Sequence, residues 1–251
     1  MDLKLIVNAD DVGISDEVND AVFSLIARRR ISSATIMANA PATVRAGRQA
    51  ASFPWCSFGA HLNLTEFEPL TRGPGARLLV NEHGQMSRAI MSAAPSLERL
   101  RAVFDELCAQ VERLASCGIR ISHLDSHHHV HTKALVFPVL KEIQRRYGIR
   151  RVRLSKNFYG TDRPCTSGLL LRKQAYNWAL RSIYRTKTTD AFTEFLTYWR
   201  AGEMRKQSVG VIELMVHPGA RSADEEREVL ESDWIRKAAP GARLLSYAQL
   251  D

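Results

Sequence analysis

The sequence predicts an α/β fold in one domain, with a parallel sheet that is either open or closed into a barrel. Three observations carry this. Seven or eight short apolar runs alternate with helical patterns, as a sheet of mostly parallel strands requires. No repeat and no break in composition divides the 251 residues, so residues 1–251 form a single domain. Acids, histidines and an arginine also gather where the apolar runs end: Asp10 and Asp11, His61, Asp125 and His127, Arg153, and His217. Chance would scatter them over both ends of the strands, whereas α/β barrels place active sites at the carboxyl ends, which favours the barrel.

Taken in order, Leu3–Asn8 is a β-branched and apolar run suited to a buried strand, and it leads into Asn8-Ala9-Asp10-Asp11-Val12-Gly13. Ser15 then caps a helix with Asp16 and Glu17 in its first turn and Val18, Ala21, Val22, Leu25 and Ile26 on one face. Ile31–Ala38 reads as a second strand, Ala42–Ala51 as a short helix, and Phe58–Leu64 as a third strand carrying His61. Residues 65–95 hold Pro69, Gly73, Pro74, Gly75 and Gly84 and are too long for an ordinary connection, so a hairpin or lid over a site is expected there. Ser96 caps a long helix ended by Gly118, and the histidine-rich strand follows. Thr132 suits the cap of the next helix, in which Pro138 implies a kink or a late start. Ile149–Leu154 is a further strand, and Phe158–Gly168 is irregular. Leu169–Tyr184 is helical with Trp178 on its apolar face, and Ala191–Trp199 fits helix or strand. Val209–Val216 is a strand ending at His217-Pro218-Gly219, Ala223–Lys237 a charged helix, and Arg243–Tyr247 a last strand.

A composition of 45% hydrophobic and 25% charged residues is that of a soluble globular protein. The net charge of +8 would suit an acidic partner, but the cations are scattered, and Arg28-Arg29-Arg30 and Arg145-Arg146 fall late in helices where the dipole favours them. Nucleic acid is therefore not expected as a partner. Cys56, Cys108, Cys117 and Cys165 show no C-x-x-C spacing, which reads as reduced thiols in a cytoplasmic protein. The start, Met-Asp-Leu-Lys-Leu-Ile-Val, enters a strand with no secretory signal, and no membrane span is expected. Association into a homo-oligomer is compatible with this composition.

The densest chemistry is Ser122-His123-Leu124-Asp125-Ser126-His127-His128-His129-Val130-His131, with five of the chain's eight histidines. Alternation along a strand would turn His123, Asp125, His127 and His129 to one cavity, and imidazole with carboxylate is a usual donor set for divalent metals. Asp10-Asp11 suits a turn into a helix, yet two adjacent carboxylates can also divide the work, one binding a metal and one taking a proton. Glu213 shares a strand face with Met215 and His217 and would lie behind the latter. Three Asp/His ligands leave positions open on an ion, the catalytic rather than the structural pattern. These parts suit metal-assisted hydrolysis of an amide or ester.

Four stretches, Asn8–Gly13, Gly59-Ala60-His61-Leu62-Asn63-Leu64-Thr65, Ser122–His131 and Glu213-Leu214-Met215-Val216-His217-Pro218, resemble in order the signatures of the YdjC-like carbohydrate deacetylases. That family includes chitooligosaccharide and hopanoid-associated deacetylases. The resemblance implies a distorted (β/α) barrel and removal of an N-acetyl group from an amino sugar, free, oligomeric or lipid-linked. By position it implies Asp11, His61 and His127 as ligands of one divalent ion, with zinc first and magnesium, manganese, cobalt or nickel also compatible. It makes Asp10 the general base and His217 the acid for the departing amine. Asp125 would support a ligand or touch substrate, and Arg153 would stabilise oxyanion charge. Val12 stands where the family commonly has phenylalanine, and 65–95 and 158–199 do not match closely enough to identify a substrate. The alternatives are a metal-dependent phosphoesterase on a similar barrel and a non-catalytic sugar-binding module. Retention of Asp10 argues against the module, which needs no base beside its metal.

Overall fold

A computed structural model describes residues 3–160, 166–202, 210–220 and 223–250. The elements follow the expected alternation. β1 (Lys4–Val12) is followed by α1 (Asp16–Ala27), β2 (Ser33–Ile36), α2 (Thr43–Ala50) and β3 (Ser57–Leu62). The single turn α3 (Pro74–Arg77) lies in the long insertion, before α4 (Leu97–Ser116), β4 (Ile121–Ser126) and α5 (Phe137–Tyr147). α6 (Ser167–Trp178), β5 (Ala191–Glu194), α7 (Phe195–Arg200), β6 (Val211–Val216), α8 (Asp224–Glu231), α9 (Trp234–Ala238) and β7 (Arg243–Leu244) complete the chain. Ser15 and Ser96 cap α1 and α4 as expected, accepting from the backbone N–H of Val18 at 3.3 Å and of Arg99 at 3.1 Å.

The strands form one parallel sheet in the order β4-β3-β2-β1-β6-β5. β7 pairs with the first residues of β1, Lys4 with Arg243 and Leu5 with Leu244, while β2 takes the later half, from Asn8 against Ser33 to Val12 against Ile36. The sheet curls, and residues 150–154 span the gap between its two ends. There Val152 bridges Leu124 of β4, and Arg151 bridges Lys187, a few residues before β5. The barrel is thus distorted at this seam. Ile149–Leu154, expected as a strand, is an extended span with isolated bridges only, because its pairing is interrupted on both sides.

Other boundaries moved for local reasons. β1 runs past Asn8 to include Asp10 and Asp11. Thr132 does not cap a helix, since His128 and His129 take left-handed φ values of 49° and 54°, and α5 starts late, with Pro138 in its first turn. Ala191–Trp199 is both strand and helix. The charged helix expected over Ala223–Lys237 breaks after Glu231. The last strand is only Arg243–Leu244, and Tyr247 begins a 3₁₀ turn. The insertion at 65–95 contains the expected hairpin contact, an antiparallel bridge between Val80 and Met86. Trp178 is a correction: it is 62% exposed rather than packed on an apolar face.

Two interiors result. The larger is apolar and lies between sheet and helices, with Val22 and Ile26 of α1 and Val103, Leu107 and Val111 of α4 among its members. The smaller lies inside the barrel, where Ile6, Tyr247 and Leu250 form a separate apolar cluster at the amino end of the strands. Above that cluster the barrel interior is polar: Asn8, Asp10, Thr35, His61, His123, Asp125, Arg153 and Glu213 are all buried.

Gly59 is required by this interior. A Cβ there would stand 2.6 Å from the His123 ring and 2.8 Å from the His123 backbone oxygen. His123 has no room to retreat, because its ring stacks on Tyr247 at 3.7 Å and contacts Asn8 at 3.2 Å. Gly59→Ala is expected to destabilise the protein by about 1–3 kcal/mol through overpacking, read as a lower urea midpoint at unchanged slope.

Candidate active site

The two aspartates diverge because β1 is irregular where they sit. Its register against β2 shifts between Ala9 and Val12, and Asp11 takes a left-handed φ of 61°. Asp10 therefore continues the inward face of Asn8, and the Asn8 amide donates to Asp10 Oδ1 at 2.9 Å. Asp11 turns instead toward the ends of β3 and β4. Its Oδ1 lies 3.1 Å from His61 Nε2 and 2.7 Å from His127 Nδ1. The donor atoms of Asp11, His61 and His127 all fall within 4.8 Å of one another.

His61 is held from behind. It sits opposite Asp125 across the β3–β4 pairing, and its Nδ1–H donates to Asp125 Oδ1 at 2.7 Å. Thr35 from β2 donates to the other Asp125 oxygen at 3.0 Å. The arrangement fixes which ring nitrogen of His61 faces Asp11, as a supporting carboxylate does for a metal-binding histidine. Burial would lower the His61 pKa, but Asp125 and Asp11 outweigh it and raise it well above the ordinary value. Burial likewise opposes ionisation of Asp11, and the hydrogen bonds from His127 and His61 overcome that and hold it far below the carboxylate range.

One carboxylate and two imidazoles are the borderline donor set that zinc and its first-row neighbours accept. His127 Nε2 adds a second sign of fit: it is buried without a hydrogen-bond partner among the described residues, 3.4 Å from Glu66 Oε1. Asp11, His61 and His127 could therefore hold a divalent cation. Glu66, His127 and His128 form a neighbouring trio that shares His127. Glu66 escaped the sequence reading. It follows Thr65 directly at the close of the second motif, and its acidity at that place was the available signal.

Behind the carboxylates lies Arg153, with no exposed surface. Its Nη1 and Nη2 each reach an Asp10 oxygen at 2.6 Å, Nη1 also reaches Asp125 at 2.8 Å, and Nε donates to Glu213 at 2.7 Å. Burial would raise the Asp10 pKa; the Arg153 guanidinium, with help from His61 and His217, brings it well below the usual range. Glu213 is pushed up to about 7 by burial, against the pull of Arg153 and of the Tyr247 hydroxyl that donates to it. The position of Arg153 does not suit the oxyanion contact expected of it: every guanidinium nitrogen is turned to a carboxylate, so the arginine supports Asp10, Asp125 and Glu213 from behind. Glu213 and Asp125 are equally buried and equally behind the front of the site.

His217 follows β6 next to β1, where Val216 pairs with Ala9, so it stands beside Asp10 at the rim. Its backbone N–H donates to Glu226 at 2.7 Å, and Gly219 at φ 86° makes the turn behind it. The remaining histidines divide. His123 and His131 are fully buried, His131 bonded to Ser126 at 2.5 Å, and neither faces the Asp11 group. His128 donates to Thr65 at 2.8 Å and accepts from Arg88 at 2.6 Å, and burial with His127 and Arg88 nearby brings its pKa down to about 4. His129 packs edge-on against Phe192.

The model of a family described as YdjC-like protein matches residues 4–240. A carbohydrate deacetylase of Geobacillus stearothermophilus is 42% identical over 156 residues, 60% of each chain. A carbohydrate deacetylase of Vibrio cholerae is 34% identical over 152 residues, 59% of this chain and 57% of its own. These matches span under two thirds of the length of either relative. Among solved structures, an Enterococcus faecalis V583 protein provisionally assigned to cellobiose-phosphate cleavage superposes with a TM-score of 0.80 at 24% identity, over 100% of this chain and 99% of that one. An uncharacterized Agrobacterium tumefaciens C58 protein gives 0.52 at 10% identity, over 100% of this chain and 89% of that one. At these identities the likeness is one of fold.

The Arg153 cluster has a direct test. Arg153→Met would leave three buried carboxylates without their cation and is expected to cost about 3–5 kcal/mol in chemical unfolding. Arg153→Lys keeps the charge but not the planar fork, and a smaller loss of stability is expected from it in the same measurement.

Proposed function

From a chain that belongs to the YdjC-like family, we propose a metal-dependent carbohydrate deacetylase that removes the N-acetyl group of an amino sugar, free, oligomeric or lipid-linked. The observation that carries this reading is the pair of carboxylates sent different ways, Asp11 to His61 and His127, Asp10 to Arg153. A sugar-binding module has use for the first arrangement and none for the second. The relatives' description as carbohydrate deacetylases supports the choice of amide over ester or phosphoester.

A divalent ion held by Asp11, His61 and His127 would supply Lewis acidity, polarising the acetyl carbonyl and lowering the pKa of a water to about 7. Asp10 then takes the water proton. Its bidentate bond to Arg153 makes it a weak base but an oriented one, ionised at any working pH. Water oxygen adds to the carbonyl carbon, and the carbon–nitrogen bond breaks as His217, on the far side of Asp10 along the rim, gives its proton to the departing nitrogen. Acetate and a free amine leave. Asp125 and Thr35 keep His61 in place, and Glu213 and Tyr247 do the same for Arg153. No described helix is long and apolar enough to cross a membrane, and Cys56, Cys108 and Cys117 are free thiols, which supports a cytoplasmic enzyme. Cys165 lies outside the described residues.

Incubation of the purified protein with N-acetylglucosamine oligomers, with and without a chelator, tests the reading by acetate and free-amine detection. Acetate release that stops with chelator and returns with added zinc, cobalt or nickel is expected. Release indifferent to chelator would sink the mechanism, and hydrolysis of a phosphodiester without acetate release would favour the phosphoesterase. Asp10→Asn is expected to lower kcat by about 10²–10⁴-fold while metal content stays at the wild-type level. His61→Ala and Asp11→Asn are expected to lose metal and activity together, measured by elemental analysis of the dialysed protein.

A further inference from the structure

Two cavities lie at opposite faces of the barrel. One of about 320 Å³, beside His128 and His129, belongs to the active rim. The other, of about 760 Å³, lies at the amino ends of the strands and has the size of a small-molecule site. Its walls are the first residues of β3 and β4, the start of the 150–154 span, Lys187 and the turn around Tyr247. Strand pairing fixes the order of these walls. Phe58 of β3 pairs with Ile121 of β4, and beyond β4 come the 150–154 span and Lys187, which bridges Arg151.

The two ends of this cavity therefore differ. Phe53, Trp55 and Phe58 stand at the β3 end. The Trp55 ring is held there by the Arg29 guanidinium, 3.9 Å from its centre, and by the edge of Phe53 at 5.3 Å. Arg150, Arg151 and Lys187 stand at the other end, about two strand spacings or roughly 10 Å away, with Arg120 between. No acidic side chain lines the cavity among the described residues. Surface arginines elsewhere are matched, Arg28 with Glu231, Arg45 with Asp16 and Asp20, and Arg146 with Glu112. The side chains of Arg120, Arg150 and Lys187 have no such partner among the described residues. Arg151 uses Nε and Nη2 to hold the carbonyls of Leu250 and Ala248, which fixes its guanidinium in the wall.

We propose that this cavity binds a nucleoside di- or triphosphate, its base against Phe53 and Trp55 and its phosphates among Arg120, Arg150, Arg151 and Lys187. A flat ring packs well on aromatic side chains, and guanidinium forks with an ammonium are the usual partners of phosphate oxygens. An inorganic anion would leave the aromatic end without a use, and an apolar ligand would leave the cations uncompensated. A nucleic-acid chain would meet the cations but does not need an enclosed cavity. The bound nucleotide would be an effector rather than a substrate. Neither Asp10 nor Asp11 nor their partner histidines line this cavity, and α/β barrels place their chemistry at the opposite face. The proposal is independent of the reaction performed there.

Calorimetric titration of the full chain with ATP and with GTP tests this, with chelator present so that an ion at Asp11, His61 and His127 takes no part. Saturable binding is expected, at least about tenfold tighter than that of adenosine or of inorganic triphosphate, with quenching of part of the tryptophan fluorescence. In Arg150→Ala/Lys187→Ala the affinity is expected to fall about tenfold or more through lost charge-assisted bonds. The thermal midpoint of that variant without nucleotide should stay at the wild-type value, since neither side chain bonds to a described residue. Trp55→Phe keeps an aromatic ring and is expected to bind in the calorimeter while losing the quenching. Absence of saturable binding by either nucleotide overturns the proposal, as does equal affinity in the double variant. Inorganic triphosphate binding as tightly as ATP would reduce the site to one for anions and overturn the nucleotide assignment. A single-stranded oligonucleotide binding while ATP and GTP do not would assign the surface to nucleic acid and overturn it as well.

Discussion

One guanidinium holds the centre of this barrel. Arg153 meets Asp10, Asp125 and Glu213 at once, fully removed from water, and each of those carboxylates positions something else. Burying a lone carboxylate costs many kcal/mol, so none of the three could occupy the interior without a shared cation. The balance is still acidic once Asp11 is counted. Four carboxylates face a single permanent positive charge, with His61 raised in pKa and Glu213 pushed up to about 7 as the groups that can adjust. A divalent cation at Asp11, His61 and His127 would restore most of the missing charge while leaving His61 neutral, the form a ligand needs. The metal reading thus rests on the charge of the whole interior as well as on three donor atoms.

Backbone geometry explains why adjacent aspartates need not compete. A regular strand would send Asp10 and Asp11 to opposite faces, one into the barrel and one into the helix layer. The register shift after Ala9 and the left-handed Asp11 keep both on the carboxyl rim, aimed differently. Such a conformation costs on the order of 1–3 kcal/mol for a residue other than glycine, although aspartate tolerates it better than most. The two imidazole contacts to Asp11 and the Arg153 fork on Asp10 hold the distortion from either side.

The alternation of strands and helices, the parallel sheet and the gathering of acids and histidines at the strand ends were legible because they follow from periodicity and from where polar residues interrupt it. Depth was not. Arg153 ends an apolar run in the sequence, but nothing there says that its charge points inward and is consumed by three partners. The histidine stretch was misleading in density: His123 and His131 belong to the buried framework, and only His127 joins Asp11 and His61. Glu66 was missed because a lone glutamate at the start of a long insertion looks like any surface acid. Trp178 was misplaced because its helix has apolar residues on two sides, and periodicity cannot tell which of them meets the core.

The span from Arg151 to Ser155 shows how the fold and the site depend on each other. It makes too few backbone pairs to be a strand, so side chains must hold it. Arg151 donates to the carbonyls of Leu250 and Ala248, fastening the span to the end of the chain at 2.7 and 2.9 Å. Arg153 fastens it to three carboxylates inside the barrel, and Ser155 fastens it to Asn177 of α6 outside. The irregular seam of the barrel is therefore the segment that orients Asp10 and also sets the wall of the cavity beside His128 and His129. A regular strand could close the barrel with its backbone alone. Here closure is delegated to arginines, and the same contacts that complete the fold hold Asp10 in place.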